Sequence, residues 1–299
     1  MKKILITGVN GFLGKALADR LSKNFKIYGI GYNRLNVKNK NLTKIINKKV
    51  NLYNISNNFK KINYIIHCAG IGSVRGFNNL KQLKSDAETT KNVLEYIAKY
   101  SPETKLIYIS SVSVYGDSYK NKIRENCKVN PISIYAKSKI LSEDFCKHYQ
   151  KKFNISVVIL RVSSLYGNGL KKQVIYDSVT KILKNNNFFY GTGNEIRNFL
   201  HINDFLSLIY KIIKKNFKNF ELYNCGGDQN IKIVSVINKL KKIIKKKIKP
   251  EFNKSYTKLN PKSLRVDNKK IKKEFKWKPI VRIDVGLKNY YQWYSKQND

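Results

Sequence analysis

An α/β fold is predicted, a doubly wound parallel sheet followed by a smaller C-terminal lobe, on three observations. Short β-branched runs alternate with longer amphipathic patterns through the first half of the chain, the signature of a parallel sheet flanked by helices. The first of these runs passes directly into a glycine-rich turn and then into a helical pattern. Near residue 167 the alternation gives way to pieces punctuated by Gly167-Asn168-Gly169 and Gly191-Thr192-Gly193-Asn194, where helices are separated by shorter extended stretches.

Taken in order, the expected strands are Ile4 to Thr7, Lys26 to Ile30, a stretch around Val50, Tyr64 to Cys68, Leu106 to Ser110 and Val157 to Arg161. Phe12 to Lys23, Ser85 to Tyr100 and Ser138 to Lys152 carry apolar residues at helical spacing, so each presents one stripe to the sheet. No repeat or low-complexity linker interrupts the 299 residues.

With 60 Lys and Arg against 19 Asp and Glu, the formal charge is +41. Such a charge would suit a polyanion. However, the lysines are spread along the whole chain among asparagine, isoleucine, tyrosine and phenylalanine, the mixture an AT-rich coding sequence produces. Clusters such as 239–248 alternate lysine with leucine and isoleucine, a solvated helix face with an apolar stripe. Nucleic acid is therefore not the expected partner. The apolar runs are far shorter than the roughly 20 residues that span a bilayer, and the basic, apolar start reads as a buried strand and not a secretory signal. A cytoplasmic protein without membrane attachment is expected. Cys68, Cys127, Cys146 and Cys225 lie far apart with no CxxC pair, so neither a metal site nor a disulfide framework is expected.

Gly8-Val9-Asn10-Gly11-Phe12-Leu13-Gly14 follows the first strand and opens a helix. In that context a GxxGxxG run permits a tight turn, close approach of a pyrophosphate and close helix packing, with the helix N-terminus facing the negative charge. A Rossmann-type dinucleotide site is expected. An acidic residue after the second strand would mark NAD, but the segment reads Tyr28-Gly29-Ile30-Gly31-Tyr32-Asn33-Arg34. Arg34 either pairs with the extra phosphate of NADP or is one more surface cation; the cofactor is NADP or NAD, with the missing acid favouring NADP. Asn51 either accepts from the adenine amino group or is a turn residue.

Tyr135-Ala136-Lys137-Ser138-Lys139 places a phenol and an ammonium on one helix face. A nearby ammonium favours the phenolate and brings a tyrosine pKa down from about 10 toward working pH, making it a general acid or base. Ser110-Ser111-Val112-Ser113-Val114-Tyr115-Gly116 follows a buried strand and sets hydroxyls at the carboxyl edge of the sheet, where ligands of such folds bind.

With these motifs the chain resembles the extended short-chain dehydrogenase/reductases, specifically the NAD-dependent epimerase/dehydratase group, over nearly its whole length. TGxxGFxG is matched by Thr7 to Gly14, HxAA is approximated by His67-Cys68-Ala69-Gly70, and SSxxVYG and YxxxK are matched as quoted. RDFxHVxD is similar to Arg197 through Asp204, and the closing segment to Val266-Asp267 with Lys276-Trp277-Lys278-Pro279. The resemblance implies that Tyr135 is the acid/base, that Lys139 tunes it and holds the nicotinamide ribose, and that Ser111 hydrogen-bonds the reacting sugar oxygen. It implies a dinucleotide contacted by Gly8, Asn10, Gly11, Phe12, Leu13, Gly14, Arg34, Asn51, Leu52, Ala69, Tyr135 and Lys139, and no metal. It implies a nucleotide-diphosphate sugar contacted by Ser111, Ser113, Ser164, Arg197 and Arg265; Arg197 is otherwise a surface salt bridge. Residues 1–166 would form the dinucleotide domain, with 198–225 returning to it, and 167–299 mainly the substrate-binding lobe. His67 and His201 are read as packing or hydrogen-bonding groups.

Departures narrow the reaction. Dehydratases of this group carry an Asp-Glu pair where Val112 and Ser113 stand, so 4,6-dehydration is disfavoured. GDP-fucose synthases use a cysteine and a histidine where Ser113 and Gly169 stand, which argues against C3/C5 epimerisation. Ser164 and Asp86 replace asparagines common among relatives. Epimerisation or 4-keto reduction by hydride transfer at C4 is expected; a non-catalytic dinucleotide sensor or RNA-binding protein is the alternative from another class. Relatives commonly form homodimers through the YxxxK helix and the one before it. Val93, Leu94, Ile97, Ile140, Leu141 and Phe145 suit such a face, or equally a monomer core.

Overall fold

The computed structural model describes residues 1–31, 42–70, 79–117, 121–253 and 263–297. Arg34 lies outside the described residues. The elements run β1 (Lys3–Thr7), α1 (Phe12–Leu21), β2 (Lys26–Gly31), β3 (Lys44–Asn47), α2 (Leu52–Asn58), β4 (Tyr64–His67), α3 (Leu80–Tyr100), β5 (Lys105–Ser111), α4 (Ile134–Phe153) and β6 (Val157–Val162). They continue with β7 (Ser164–Tyr166), α5 (Gln173–Leu183), β8 (Phe188–Tyr190), β9 (Ile196–His201), α6 (Ile202–Lys215), β10 (Phe220–Cys225), β11 (Asn230–Lys232), α7 (Ile233–Ile244), β12 (Glu251–Asn253), α8 (Lys269–Glu274) and α9 (Ile283–Ser295). Two compact units result: 1–114 with 133–161 and 208–223, and 115–132 with 162–207 and 224–299.

In the first unit a seven-stranded sheet has the order β10-β6-β5-β4-β1-β2-β3. Its central pairs are parallel: β1 with β2 and β4, β2 with β3, and β4 with β5. The chain winds outward from β1 in both directions, and Thr7 registers with Ile30 on one side and His67 on the other. Three strand ends thus meet at the point where the order reverses, the place such sheets bind ligands. A core from β1, β2, β4, β5 and β6 packs on α2, α3 and α4, with Leu5, Ile65, Leu106, Val157 and Ile159 fully buried. Each such side chain contributes about 1.5–3 kcal/mol of burial.

One expectation is corrected and one alternative is decided. The third strand is Lys44–Asn47, not the stretch around Val50; Val50 instead packs against the core from the turn before α2. Val93, Leu94 and Ile97 lie in this protomer's own core, because the α3 face that carries them covers the sheet. This is the monomer-core alternative for these three residues. Ile140, Leu141 and Phe145 are half-buried.

The second unit holds a three-stranded sheet, β11-β9-β7, and a two-stranded one, β12-β8. Here β9 runs antiparallel to β11 and parallel to β7. Tyr115, of the VYG motif, is fully buried and donates its hydroxyl to Asn224 Oδ1 at 2.7 Å. Gly116 takes φ of 65°, and a Cβ there would lie 1.9 Å from the Asn130 carbonyl oxygen. Those two letters of the motif are structural. Among the described residues, no helix is long and apolar enough to cross a membrane, and no group of three His, Cys, Asp or Glu could hold a metal.

Candidate active site

Gly8 leaves β1 at φ of 68°, and its N–H donates to the Ile30 carbonyl at 2.8 Å. A Cβ on Gly8 would come within 2.8 Å of the Ala69 backbone, and one on Gly14 within 2.2 Å of the Gly8 oxygen. The turn is therefore closed to larger residues at both positions. Gly11 is the N-cap of α1 and no side chain caps the helix, so the amides of its first turn, at Phe12 and Leu13, remain for an anion. These residues fit the pyrophosphate of a dinucleotide. Asn10 lies against the end of β2, its Oδ1 1.7 Å from where a Gly31 Cβ would stand. Asn51 caps α2, its Oδ1 accepting from Asn54 N at 2.8 Å, and Leu52 opens that helix.

A buried chain of polar groups backs this edge. Ala69 N donates to Thr7 Oγ1 at 3.2 Å, Thr7 Oγ1 meets His67 Nδ1 at 2.6 Å, and His67 Nε2 meets Thr90 Oγ1 at 3.1 Å. Burial, assisted by the Lys139 ammonium, holds the His67 pKa down at about 3, so the ring is neutral. His201 is lowered by burial, and its Nδ1 accepts from Asn203 N at 3.3 Å beside the Tyr166 ring.

Ser133 caps α4, its Oγ accepting from Ala136 N at 3.2 Å. One turn separates Tyr135 from Lys139, whose Nζ lies 5.7 Å from the Tyr135 ring centre and 5.5 Å from that of Tyr108. Lys139 is buried, and its Nζ approaches Asp86 Oδ2 at 3.8 Å. Burial alone would lower the Lys139 pKa, but Tyr108, Asp86 and Tyr135 together outweigh it and raise it. The side chain is an ammonium. Ser111 ends β5; its Oγ accepts from the amide of Ser113 at 3.2 Å and the Ser113 hydroxyl at 3.0 Å, leaving its own O–H to donate elsewhere. Ser110 points to the other face, into Glu143 Oε1 at 2.5 Å.

In the second unit, a cavity of about 410 Å³ is lined by Asn121, Lys122, Ile196, Asn230, Lys232 and Arg265. Three cations and two amides line it, with no carboxylate among them. Arg265 was expected at such a site, whereas Lys122, Lys232 and the asparagines carry no motif that singles them out. Arg197 is not among its lining; it follows Ile196 on β9 and so faces the other way. Burial lowers the Arg197 pKa, against Glu195 and Asp117, which raise it. Ser164 pairs with Phe199 between β7 and β9.

A parallel sheet with a glycine cradle at its switch point and a Tyr-Lys pair on the adjoining helix defines a dinucleotide-dependent oxidoreductase. Residues 4–226 match the NAD dependent epimerase/dehydratase family, and the chain belongs to it. It is similar to a putative UDP-glucose 4-epimerase of Methanocaldococcus jannaschii, 29% identical over 99% of each chain. It also resembles the human dTDP-D-glucose 4,6-dehydratase, 26% identical over 99% of this chain and 90% of that one. Among solved structures, UDP-glucuronic acid 4-epimerase from Bacillus cereus, in complex with UDP-glucuronic acid and NAD, superposes with a TM-score of 0.89 at 25% identity over 99% of both chains.

Proposed function

We propose that this enzyme exchanges hydride and proton at C4 of a nucleotide-diphosphate sugar, with 4-epimerisation as the leading reading. The Tyr135–Lys139 pair carries it, one helical turn apart and 5.7 Å between ammonium and ring centre. A dinucleotide held at the Gly8–Gly14 turn and the first amides of α1 would supply the hydride acceptor and donor for the sugar carbon. Tyr135 moves the proton at the sugar oxygen, Lys139 holds a positive charge beside it, and Ser111 donates to the same oxygen through its remaining O–H. Arg265, Lys122 and Lys232 bind the diphosphate. Val112, buried at 5% exposure, has no proton for expulsion of a C6 hydroxyl, and Ser113 is engaged with Ser111, which speaks against dehydration in spite of the dehydratase relatives.

A second reading, reduction of a 4-keto sugar by NADPH, draws on the end of β2. Asn10 fills the space beside Gly31, so no acid can stand at 31 to receive the ribose hydroxyls of NAD unless Asn10 moves. The separating experiment is to release and identify the dinucleotide that co-purifies, then to incubate the enzyme with UDP-glucose, UDP-glucuronic acid and dTDP-glucose and follow the C4 configuration. Retained NAD with interconversion of C4 epimers supports epimerisation. Turnover of a 4-keto sugar with NADPH alone selects the reductase, and oligonucleotide binding without nucleotide-sugar binding removes both.

A further inference from the structure

The Lys139 ammonium is paired with a carboxylate at the edge of the dinucleotide cradle. Its Nζ lies 3.8 Å from Asp86 Oδ2, with both side chains below one-tenth exposed. Ser138, fully buried, donates its hydroxyl to the same Oδ2 at 2.6 Å, and the Asp86 carbonyl accepts from Thr89 Oγ1 at 2.7 Å. Gly70 leaves room for the pair: a Cβ there would sit 2.6 Å from Asp86 Oδ1 and 3.3 Å from Lys139 Nζ. Ala69, one residue earlier, lies against Gly8 of the glycine turn. Both charges therefore border the loop after β4, where that loop meets the turn.

Without Asp86, one buried positive charge would stand uncompensated at this edge. The titratable groups on the strand side do not offset it. Burial holds His67 neutral with its pKa at about 3, pushes the Cys68 thiol up to about 12 and raises the Tyr108 phenol. An oxidised nicotinamide ring carries one positive charge and a reduced ring none, so a net charge nearby binds the two forms unequally. We propose that Asp86 sets the oxidation state this site prefers: by balancing the Lys139 ammonium, it lets a dinucleotide with the oxidised ring bind about as well as the reduced form. With Lys139 unbalanced the site would favour the reduced form. Retaining the oxidised form suits an enzyme that begins by taking hydride from a sugar carbon, as in the 4-epimerisation reading.

The inference rests on the reading that Lys139 holds the nicotinamide ribose, and binding alone tests it. The full chain, stripped of nucleotide, is titrated with NAD+ and NADH and with NADP+ and NADPH. The ratio of the two Kd values within a pair cancels the adenosine half and any general loosening of the site. Asp86→Asn keeps the shape and an acceptor for Ser138 while removing the charge; it is expected to weaken the oxidised form relative to the reduced one by about ten-fold. Asp86→Ser is read the same way should the asparagine variant not fold. A ratio that stays constant or moves toward the oxidised form overturns the inference. So does a wild-type chain that binds the reduced form more than about ten-fold tighter than the oxidised one, whatever the variants do. Lys139→Met reads the assignment beneath: weaker dinucleotide binding with unchanged ADP binding keeps Lys139 at the nicotinamide ribose, and no change in either removes that reading.

Discussion

Arg161 on β6 grips Glu143 on α4 through a two-pronged contact, Nε to Oε1 at 3.0 Å and Nη2 to Oε2 at 2.7 Å. Both side chains are almost wholly buried, and Ser110 on β5 donates to the same carboxylate. Glu143 stands one turn beyond Lys139, on the same face of α4. The pair therefore fixes the rotation and height of the helix that carries Tyr135.

Removing one partner strands the other in the core. Arg161→Met is expected to cost about 3–5 kcal/mol of stability, read as a lower urea midpoint. The double variant Arg161→Met/Glu143→Leu should recover much of the loss, because no buried charge is then left unpaired. Equal losses in single and double variants would show that the ion pair itself supplies the stability.

At the glycine turn, Gly14→Ala puts a methyl group 2.2 Å from the Gly8 oxygen. The helix must shift away from the strand, and overpacking of this kind costs about 1–3 kcal/mol. Calorimetric titration with NAD+ and with NADPH should show weaker binding of both, since the first turn of α1 moves with the backbone.

Tyr135→Phe removes the proton and keeps the ring. Turnover is expected to fall by about 10²–10⁴-fold with little change in nucleotide-sugar affinity, which steady-state kinetics alongside direct binding of UDP would separate.

His67 gives stability a pH slope. The unfolded histidine takes up its proton near 6.5, while the folded one resists until about 3. The folded state is the poorer proton binder between these values, so the contribution is complete above 6.5 and is lost as pH falls through the window, by up to about 1.4 kcal/mol per unit. His67→Gln, which cannot titrate, should flatten the dependence of the urea midpoint between pH 6.5 and 4. An unchanged slope would place the acid sensitivity in the carboxylates.

Arg265→Ala removes one of the three cations that line the cavity proposed to hold the diphosphate. Loss of a charge-assisted contact weakens binding by about 1.5–3 kcal/mol, so the Kd for UDP should rise by one to two orders of magnitude, more at low salt than at high.

The sheet was legible because buried parallel strands write themselves as β-branched runs, and the glycine turn because strand, turn and helix are contiguous. β3 was not: Lys44-Ile45-Ile46-Asn47 is a short edge strand between lysines, and Val50 nearby offered a more strand-like residue. In the site, Tyr135 and Lys139 could be paired by spacing alone, since one helix carries both. Asp86 and Gly70 could not, because they reach Lys139 from two other elements and only the fold brings them there. Glu143 left a trace in its i+4 spacing from Lys139, but its partner lies on a strand 18 residues further on. Lys122 and Lys232 were hidden among 60 basic residues, where no single cation stands out until a cavity selects it.

Asp204 carries a consequence for the order in which the chain folds. Its two carboxylate oxygens accept the consecutive amides of Ile280 and Val281, each at 3.0 Å, and its carbonyl receives the indole N–H of Trp277. The acceptor leaves the ribosome 76 residues before the first of its amide donors. Until those donors emerge, the start of α6 holds a carboxylate that has no backbone to bind, and the turn leading into α9 has no template. The contacts that tie the start of α6 to the turn before α9 consequently form only after residue 281 has left the exit tunnel, however early the sheet of the first unit has formed.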